Sequence, residues 1–263
     1  MESSSNPSSL KHYLMEEFDP RIFSDTYCSH TSHKELLEET TLLPLRQLHK
    51  LLSPGRITGE TLICIPVASI IFPLIPFLEF FNDITVLECN DVCIKELEKW
   101  RNSHDEAYDW SHASKISAEL KGKGDEWKIR EEQLKISIKR ILKCDFTKEN
   151  PTDPVTLHKV DCLYVNCSLE TICKDQDEYF SCLKKISEWL KPGGHLILMA
   201  VLNGSFYMVG EHRFHLLTLD EEFIRKALRD IGYVTETIEV VERKLKYEAA
   251  SYDHLAFITA VKQ

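Results

Sequence analysis

No stretch of this 263-residue chain concentrates lysine and arginine, and its formal net charge is -10. A phosphate backbone is held by a basic stripe, so nucleic acid is excluded as the main partner. A small molecule or another protein suits the charge better. The nine cysteines include no CxxC pair, and no Cys/His spacing matches a zinc site. An odd thiol count, lying mostly in strand-like or helix-like runs such as Ile63-Cys64-Ile65, points to reduced cysteines and a cytoplasmic setting. The polar start Met1-Glu2-Ser3-Ser4-Ser5 has neither a basic nor an apolar leader region, so no secretory signal is expected. An uninterrupted apolar span is missing too. Leu62 to Phe81 carries Pro66, Pro73, Pro76 and Glu79, and each proline removes an amide donor. That run reads as strand, turn and buried segment, and no membrane partner is expected. No internal repeat, low-complexity tract or nucleophilic triad is recognisable, so no catalytic residue and no metal ligand is assigned.

What is present is ordinary for a folded domain: 43% hydrophobic and 28% charged residues. Residues 1–9 read as disordered. Leu10 to Tyr27 is amphipathic and partly helical, broken at Asp19-Pro20. His33 to Leu52 reads as one long helix, with Pro44 a kink or boundary and Ser53-Pro54-Gly55 its end. An α/β rhythm follows. Strands are expected at Thr61–Val67, Ile84–Cys89, Val160–Asn166 and His195–Leu202. Helices are expected at Asp91–Asn102, Trp127–Leu142, Asp177–Leu190 and Asp220–Ile231. His104 to Lys123 is polar and loop-like, an expected insertion. Two β-rich segments, Val234–Val241 and Ala256–Val261, suggest a closing hairpin. Alternating strands and helices imply a mainly parallel sheet covered on both faces.

Three local features bear on chemistry. Ile84-Thr85-Val86-Leu87-Glu88 ends an apolar strand on a carboxylate. Such a carboxylate either bonds the ribose of a nucleoside at the carboxyl edge of a doubly wound sheet or is a solvated strand end. Leu142-Lys143-Cys144-Asp145-Phe146 could set an acceptor at an adenine amino group. Trp189-Leu190-Lys191-Pro192-Gly193-Gly194 ends a helix in a tight turn and is structural.

Read in order, Phe18-Asp19-Pro20-Arg21-Ile22-Phe23, Glu96-Leu97-Glu98-Lys99-Trp100, Ala107-Tyr108-Asp109-Trp110-Ser111, Leu142-Lys143-Cys144-Asp145, Leu190-Lys191-Pro192-Gly193-Gly194 and Phe206-Tyr207-Met208-Val209-Gly210 resemble the nicotinamide, phenylethanolamine and indolethylamine (thioether) N-methyltransferase family. The likeness runs from about Tyr13 to Val261 and is that of a divergent, nicotinamide N-methyltransferase-like member. It implies a class I methyltransferase fold: a seven-stranded, mainly parallel sheet with helices on both faces and a C-terminal antiparallel hairpin. It further implies a helical cap over residues 10–55, an α/β domain over 56–263 with an insertion around 104–126, and a monomer. The implied cofactor is S-adenosylmethionine, and the implied acceptor is a small amine or aza-heterocycle. By the same resemblance the cofactor-binding positions are Phe23, Tyr27, Cys28, Pro66, Val67, Phe72, Glu88, Cys93, Asp145, Phe146 and Asn166. The substrate-binding positions are Ala200, Gly204 and Tyr207.

Several of these positions depart from the family pattern. The first-strand loop reads Cys64-Ile65-Pro66-Val67-Ala68-Ser69, where the family has an acid followed by Gly-Ser-Gly-Pro. Glycine there permits positive φ and a close approach to the cofactor. Pro66 removes an amide, Ala68 adds a Cβ, and Cys64 removes a charge. Phe23, Cys28 and Phe72 replace tyrosines, and Cys93 replaces asparagine. Ala200 and Gly204 replace the aspartate and serine of the nicotinamide enzyme. Tyr27 and Tyr207 have packing roles as alternatives to ligand contact, and Cys64, Cys89 and Cys93 read as small apolar filler. Two functions follow: methyl transfer with a weakened hold on the donor, or a catalytically inactive methyltransferase fold with a binding or interaction role.

Overall fold

The computed structural model describes residues 10–29, 32–244 and 248–263; the expected disorder over residues 1–9 lies outside them. Helix α1 (Pro20–Tyr27) begins where the sequence breaks at Asp19-Pro20. Asp19 accepts from the amides of Arg21 and Ile22, and proline sits at the first helical position. The long helix expected over His33 to Leu52 is present as α2 (Lys34–Leu37), a π turn (Glu38–Leu42) and α3 (Leu43–Leu52). Pro44 brings the change of winding, since a proline has no amide for the ladder and its ring crowds the carbonyl four residues back.

The sheet then builds from β1 (Thr61–Ile65) and β2 (Asp83–Glu88); the run between them is strand, turn and tight helical turns over Phe72–Glu79, and is buried from Leu62 to Phe77. Helices α4 (Asp91–Arg101), α5 (Ser111–Leu120) and α6 (Trp127–Ser137) precede β3 (Ile138–Lys143). Two expectations are corrected here. The insertion is not all loop: α5 packs through Ala113, Ser114, Ser117 and Ala118, residues too small to leave an apolar stripe in the sequence. The Trp127–Leu142 helix stops at Ser137, because Ile138 to Lys143 pairs in parallel with β2 as a lysine- and arginine-bearing edge strand.

Strand β4 (Val160–Asn166) leads through α7 (Leu169–Ile172) and α8 (Gln176–Glu188) to β5 (Leu190–Leu202). A hairpin of β6 (Phe206–Val209) and β7 (His212–His215), unexpected from the sequence, precedes α9 (Glu221–Ile231), which ends on Gly232 at φ 102°. Strands β8 (Tyr233–Glu242), β9 (Ala250–Ser251) and β10 (His254–Lys262) complete the chain. The large sheet has the order β3-β2-β1-β4-β5-β10-β8. Its first five strands are parallel, and β10 runs antiparallel between β5 and β8. A small second sheet, β7-β6-β9, backs the cap. Winding reverses between β1 and β4, so their carboxyl ends open the crevice where such folds hold ligands. Among the described residues no helix is long and apolar enough to cross a membrane.

Candidate functional site

The loop after β1 lies at the winding reversal. Ala68 takes φ 52°, a left-handed value costing an L-residue roughly 1–2 kcal/mol, and it is fully buried. The amides of Val67, Ala68 and Ser69 make no hydrogen bond among the described residues. The Ser168 hydroxyl closes the loop by donating to the Ile65 carbonyl at 3.0 Å. Cys64 is buried and burial pushes its thiol well above the usual range, so no charge stands at the end of β1.

Glu88 ends β2, and it is no solvated strand end: its exposure is 1%. One carboxylate oxygen accepts from the amides of Cys89 (2.7 Å) and Asn90 (2.8 Å) and from the Tyr13 hydroxyl (2.9 Å). The other oxygen is buried and has no partner among the described residues. Burial outweighs these hydrogen bonds and pushes the carboxyl up to about 8, so it is largely protonated near neutral pH. Asn90 caps α4 through the Val92 amide and donates to the Tyr13 carbonyl at 2.7 Å.

Two hollows flank this carboxylate. A solvent-open cleft is lined by Cys89, Asn90, Val92, Asp145 and Phe146, facing His12 and Leu14. Asp145 is held by its own turn, accepting from the Thr147 amide and hydroxyl, which lower its carboxyl below the usual range. On the other side lies an apolar cavity with about 800 Å³ of space, part of it open to solvent. The cap supplies Phe23, Tyr27, Cys28, Glu39 and Thr40. The sheet side supplies Val67, Asn166, Met199, Val201, Tyr207, Tyr252 and Leu255.

The expected site residues therefore divide. Phe23, Tyr27, Cys28, Val67, Asn166 and Tyr207 meet in the apolar cavity, and Asp145 and Phe146 meet in the open cleft. The remaining six line neither hollow. Glu88 and Cys93 are sealed beneath Tyr13, whose hydroxyl also lies 3.4 Å from the Cys93 sulfur. Phe72 packs on Trp110, with ring centroids 5.3 Å apart. Pro66 is buried in the β1 loop; Ala200 lies in β5 between Met199 and Val201, and alternation turns it to the opposite face. Gly204 is packed against Leu216. The Tyr27 hydroxyl is engaged in structure, donating to the Ala249 carbonyl at 2.6 Å and accepting from the Met208 amide at 3.1 Å. The Tyr207 hydroxyl is buried without a partner among the described residues.

Three polar residues near the site give no signal in the sequence. Tyr13 meets Glu88 across 75 positions. Glu39 is brought to the cavity wall by the π turn, where it accepts from the Tyr252 hydroxyl (3.0 Å) and the Lys244 amide (2.9 Å). Glu170 is wholly buried behind Thr171, bonded to the Val201 amide at 2.7 Å, and burial raises its carboxyl to about 7. No group of histidine, cysteine, aspartate or glutamate among the described residues is placed to hold a metal ion. All nine cysteines are free.

Comparison with known proteins sets this geometry in context. The profile of the NNMT/PNMT/TEMT family matches residues 8–263. An indolethylamine N-methyltransferase of Oryctolagus cuniculus is 34% identical over 253 residues, covering 96% of this chain and 94% of the relative. A nicotinamide N-methyltransferase of Homo sapiens is 31% identical over 256 residues, covering 96% of each. Among solved structures, the magnesium protoporphyrin IX methyltransferase of Synechocystis with bound SAM superposes with a TM-score of 0.56 at 11% identity, covering 92% of this chain and 90% of that one. At that identity the likeness is one of fold.

Proposed function

From the premise that this chain belongs to the NNMT/PNMT/TEMT family, we propose that it transfers a methyl group from S-adenosylmethionine to a nitrogen of a small, mainly apolar amine or aza-heterocycle, with a weakened hold on the donor's amino-acid end. The observation that carries this reading is Glu88: a buried carboxylate at the end of β2 with an oxygen that no group among the described residues satisfies, set between an open cleft and an apolar cavity. An unsatisfied buried polar group costs about 1–3 kcal/mol, and a ribose hydroxyl would relieve it.

The residues fit the donor unevenly. Glu88, Asp145 and Phe146 suit its adenosine. At the amino-acid end the described residues offer the unbonded amides of the β1 loop, with no charge from Cys64 and no amide from Pro66. Each missing charge-assisted hydrogen bond costs about 1.5–3 kcal/mol, so affinity falls by a factor of a hundred or more. When bound, the donor supplies an already activated methyl group, so the protein's part is proximity and exclusion of water. Phe23, Tyr27 and Tyr207 form an aromatic wall that orients a flat acceptor. Among the described residues Glu39 is the one acidic residue lining that cavity and is already bonded to the protein, so the acceptor nitrogen is best matched unprotonated.

A second reading is favoured by the strained Ala68 and the uncharged loop: a methyltransferase fold that binds an apolar ligand without catalysis. Calorimetric titration with S-adenosylmethionine and S-adenosylhomocysteine separates the two. Under the first reading both ligands bind in the high-micromolar to millimolar range, and the triple variant Cys64→Asp/Pro66→Gly/Ala68→Gly binds at least about a hundredfold tighter. A folded protein that binds neither ligand, before or after the loop is restored, leaves only the second.

A further inference from the structure

The open cleft and the apolar cavity share no lining residue, although a donor reaching from nucleoside to acceptor must span both. The space between them is filled with packed aromatic rings. Tyr13 packs on Phe18 (centroids 4.6 Å apart), Phe18 on Phe23 (5.7 Å) and Phe214 (5.5 Å), and Phe214 on Tyr207 (5.5 Å). The first two rings come from residues 10–18, a strap outside regular structure. Its backbone is tied to β7 at Lys11, which donates to Arg213 at 2.9 Å and accepts from His215 at 2.7 Å. Tyr13 and Phe18 are buried, whereas Leu10, Leu14 and Met15 are about half exposed. The strap is thus held from inside, at the carboxylate.

We infer that the strap is an internal occupant of the donor site: the Tyr13 hydroxyl bonds Glu88 Oε1 and closes off Oε2, the oxygen a ribose hydroxyl would satisfy, and its ring fills the passage the donor must cross. This rests on reading Glu88 as the nucleoside carboxylate. The contacts match that role in kind. Tyr13 offers Glu88 a hydroxyl at 2.9 Å, and its carbonyl takes the Asn90 amide that would otherwise face the cleft. A nucleoside entering this site must displace Tyr13, so a hydroxyl on Oε1 only replaces an existing bond, and the gain is limited to Oε2. Its apparent affinity is reduced by the fraction of molecules whose strap is open.

Tyr13→Phe keeps the ring but leaves a buried carboxylate short of a donor in the closed state, which favours opening. We expect this variant to bind S-adenosylhomocysteine about tenfold tighter than wild type by calorimetry, the equivalent of about 1.4 kcal/mol. Hydrogen exchange gives a readout on the wild-type protein itself. Amides of residues 10–18 lose protection when S-adenosylhomocysteine is added, and lose it without ligand in Tyr13→Phe. Equal or weaker binding by Tyr13→Phe, or strap protection unchanged by bound ligand in the wild type, overturns the inference while leaving the nucleoside site standing. If Tyr13→Phe binds tighter but Glu88→Ala does not impair that binding, the carboxylate assignment fails. Absence of binding in every form, with the strap open in Tyr13→Phe, overturns both.

Discussion

Position 204 separates family likeness from local packing. The resemblance aligns Gly204 with a serine of the nicotinamide enzyme, which invites a gain-of-function substitution. A Cβ at that site would lie 2.5 Å from Leu216 Cδ2, 3.1 Å from its Cγ and 3.3 Å from the Ser251 carbonyl oxygen. Gly204→Ser is therefore expected to destabilise the fold by about 1–3 kcal/mol in urea unfolding, because overpacking forces neighbours off their rotamers. It should confer no nicotinamide methylation; a stable variant that methylates nicotinamide would show that Leu216 yields. Glu88 gives the opposite lesson. Its place at the end of an apolar strand was legible in the sequence, and so was its possible role. Its burial was not, because what buries it is Tyr13, 75 positions away, and the amphipathic pattern of that segment does not say what its apolar face covers.

Among the elements, legibility followed periodicity. Strands β2 and β4 and helices α4 and α9 stand within a residue or two of their expected bounds, since their apolar spacing and caps are plain in the chain. Strand β3 was hidden because it is a charged edge strand running directly on from a helix, and α5 because its buried face is built of alanine and serine. The β6–β7 hairpin was missed for a similar reason: its strands are four residues each, too short for alternation to stand out. That hairpin is what anchors the cap. Tyr27 on α1 reaches it through the bond from the Met208 amide, and reaches the residue before β9 by donating to the Ala249 carbonyl. Tyr27→Phe is expected to cost about 1–2 kcal/mol and to expose the cap to limited proteolysis within residues 20–52. Unchanged stability and an unchanged cleavage pattern would mean that apolar packing alone holds the cap.

For the molecule as a whole, buried titratable groups shape the response to pH. Burial lowers His49 to about 4 and depresses His12, so unfolding takes up protons below pH 6.5 and acid destabilises the fold. Glu88 and Glu170 carry the other sign. Raised to about 8 and about 7, they hold protons that the unfolded chain, with carboxyls near 4.5, releases. Their contribution is complete below pH 4.5 and is lost as pH rises through 7 and 8. Above pH 6.5 the histidines no longer oppose it, and the buried thiols add the same sign at higher pH. The unfolding free energy should therefore fall by about 1–2 kcal/mol between roughly pH 6.5 and 8.5. Glu88→Gln should remove most of that slope, and a flat wild-type profile would show that Glu88 is ionised in the folded protein. The fold class and the family were readable across nearly the whole chain, whereas the division of the site into two hollows was not, because it depends on contacts between residues far apart in the sequence.

The loop after β1 still follows a path natural to glycine, although alanine occupies it: Ala68 keeps φ 52° with its methyl buried. The surrounding fold dictates that path, so the side chain could change without the main chain moving. Every alanine codon lies a single base from a glycine codon. A single base change can therefore set glycine, the residue of the family pattern at this position, on a path the main chain already takes.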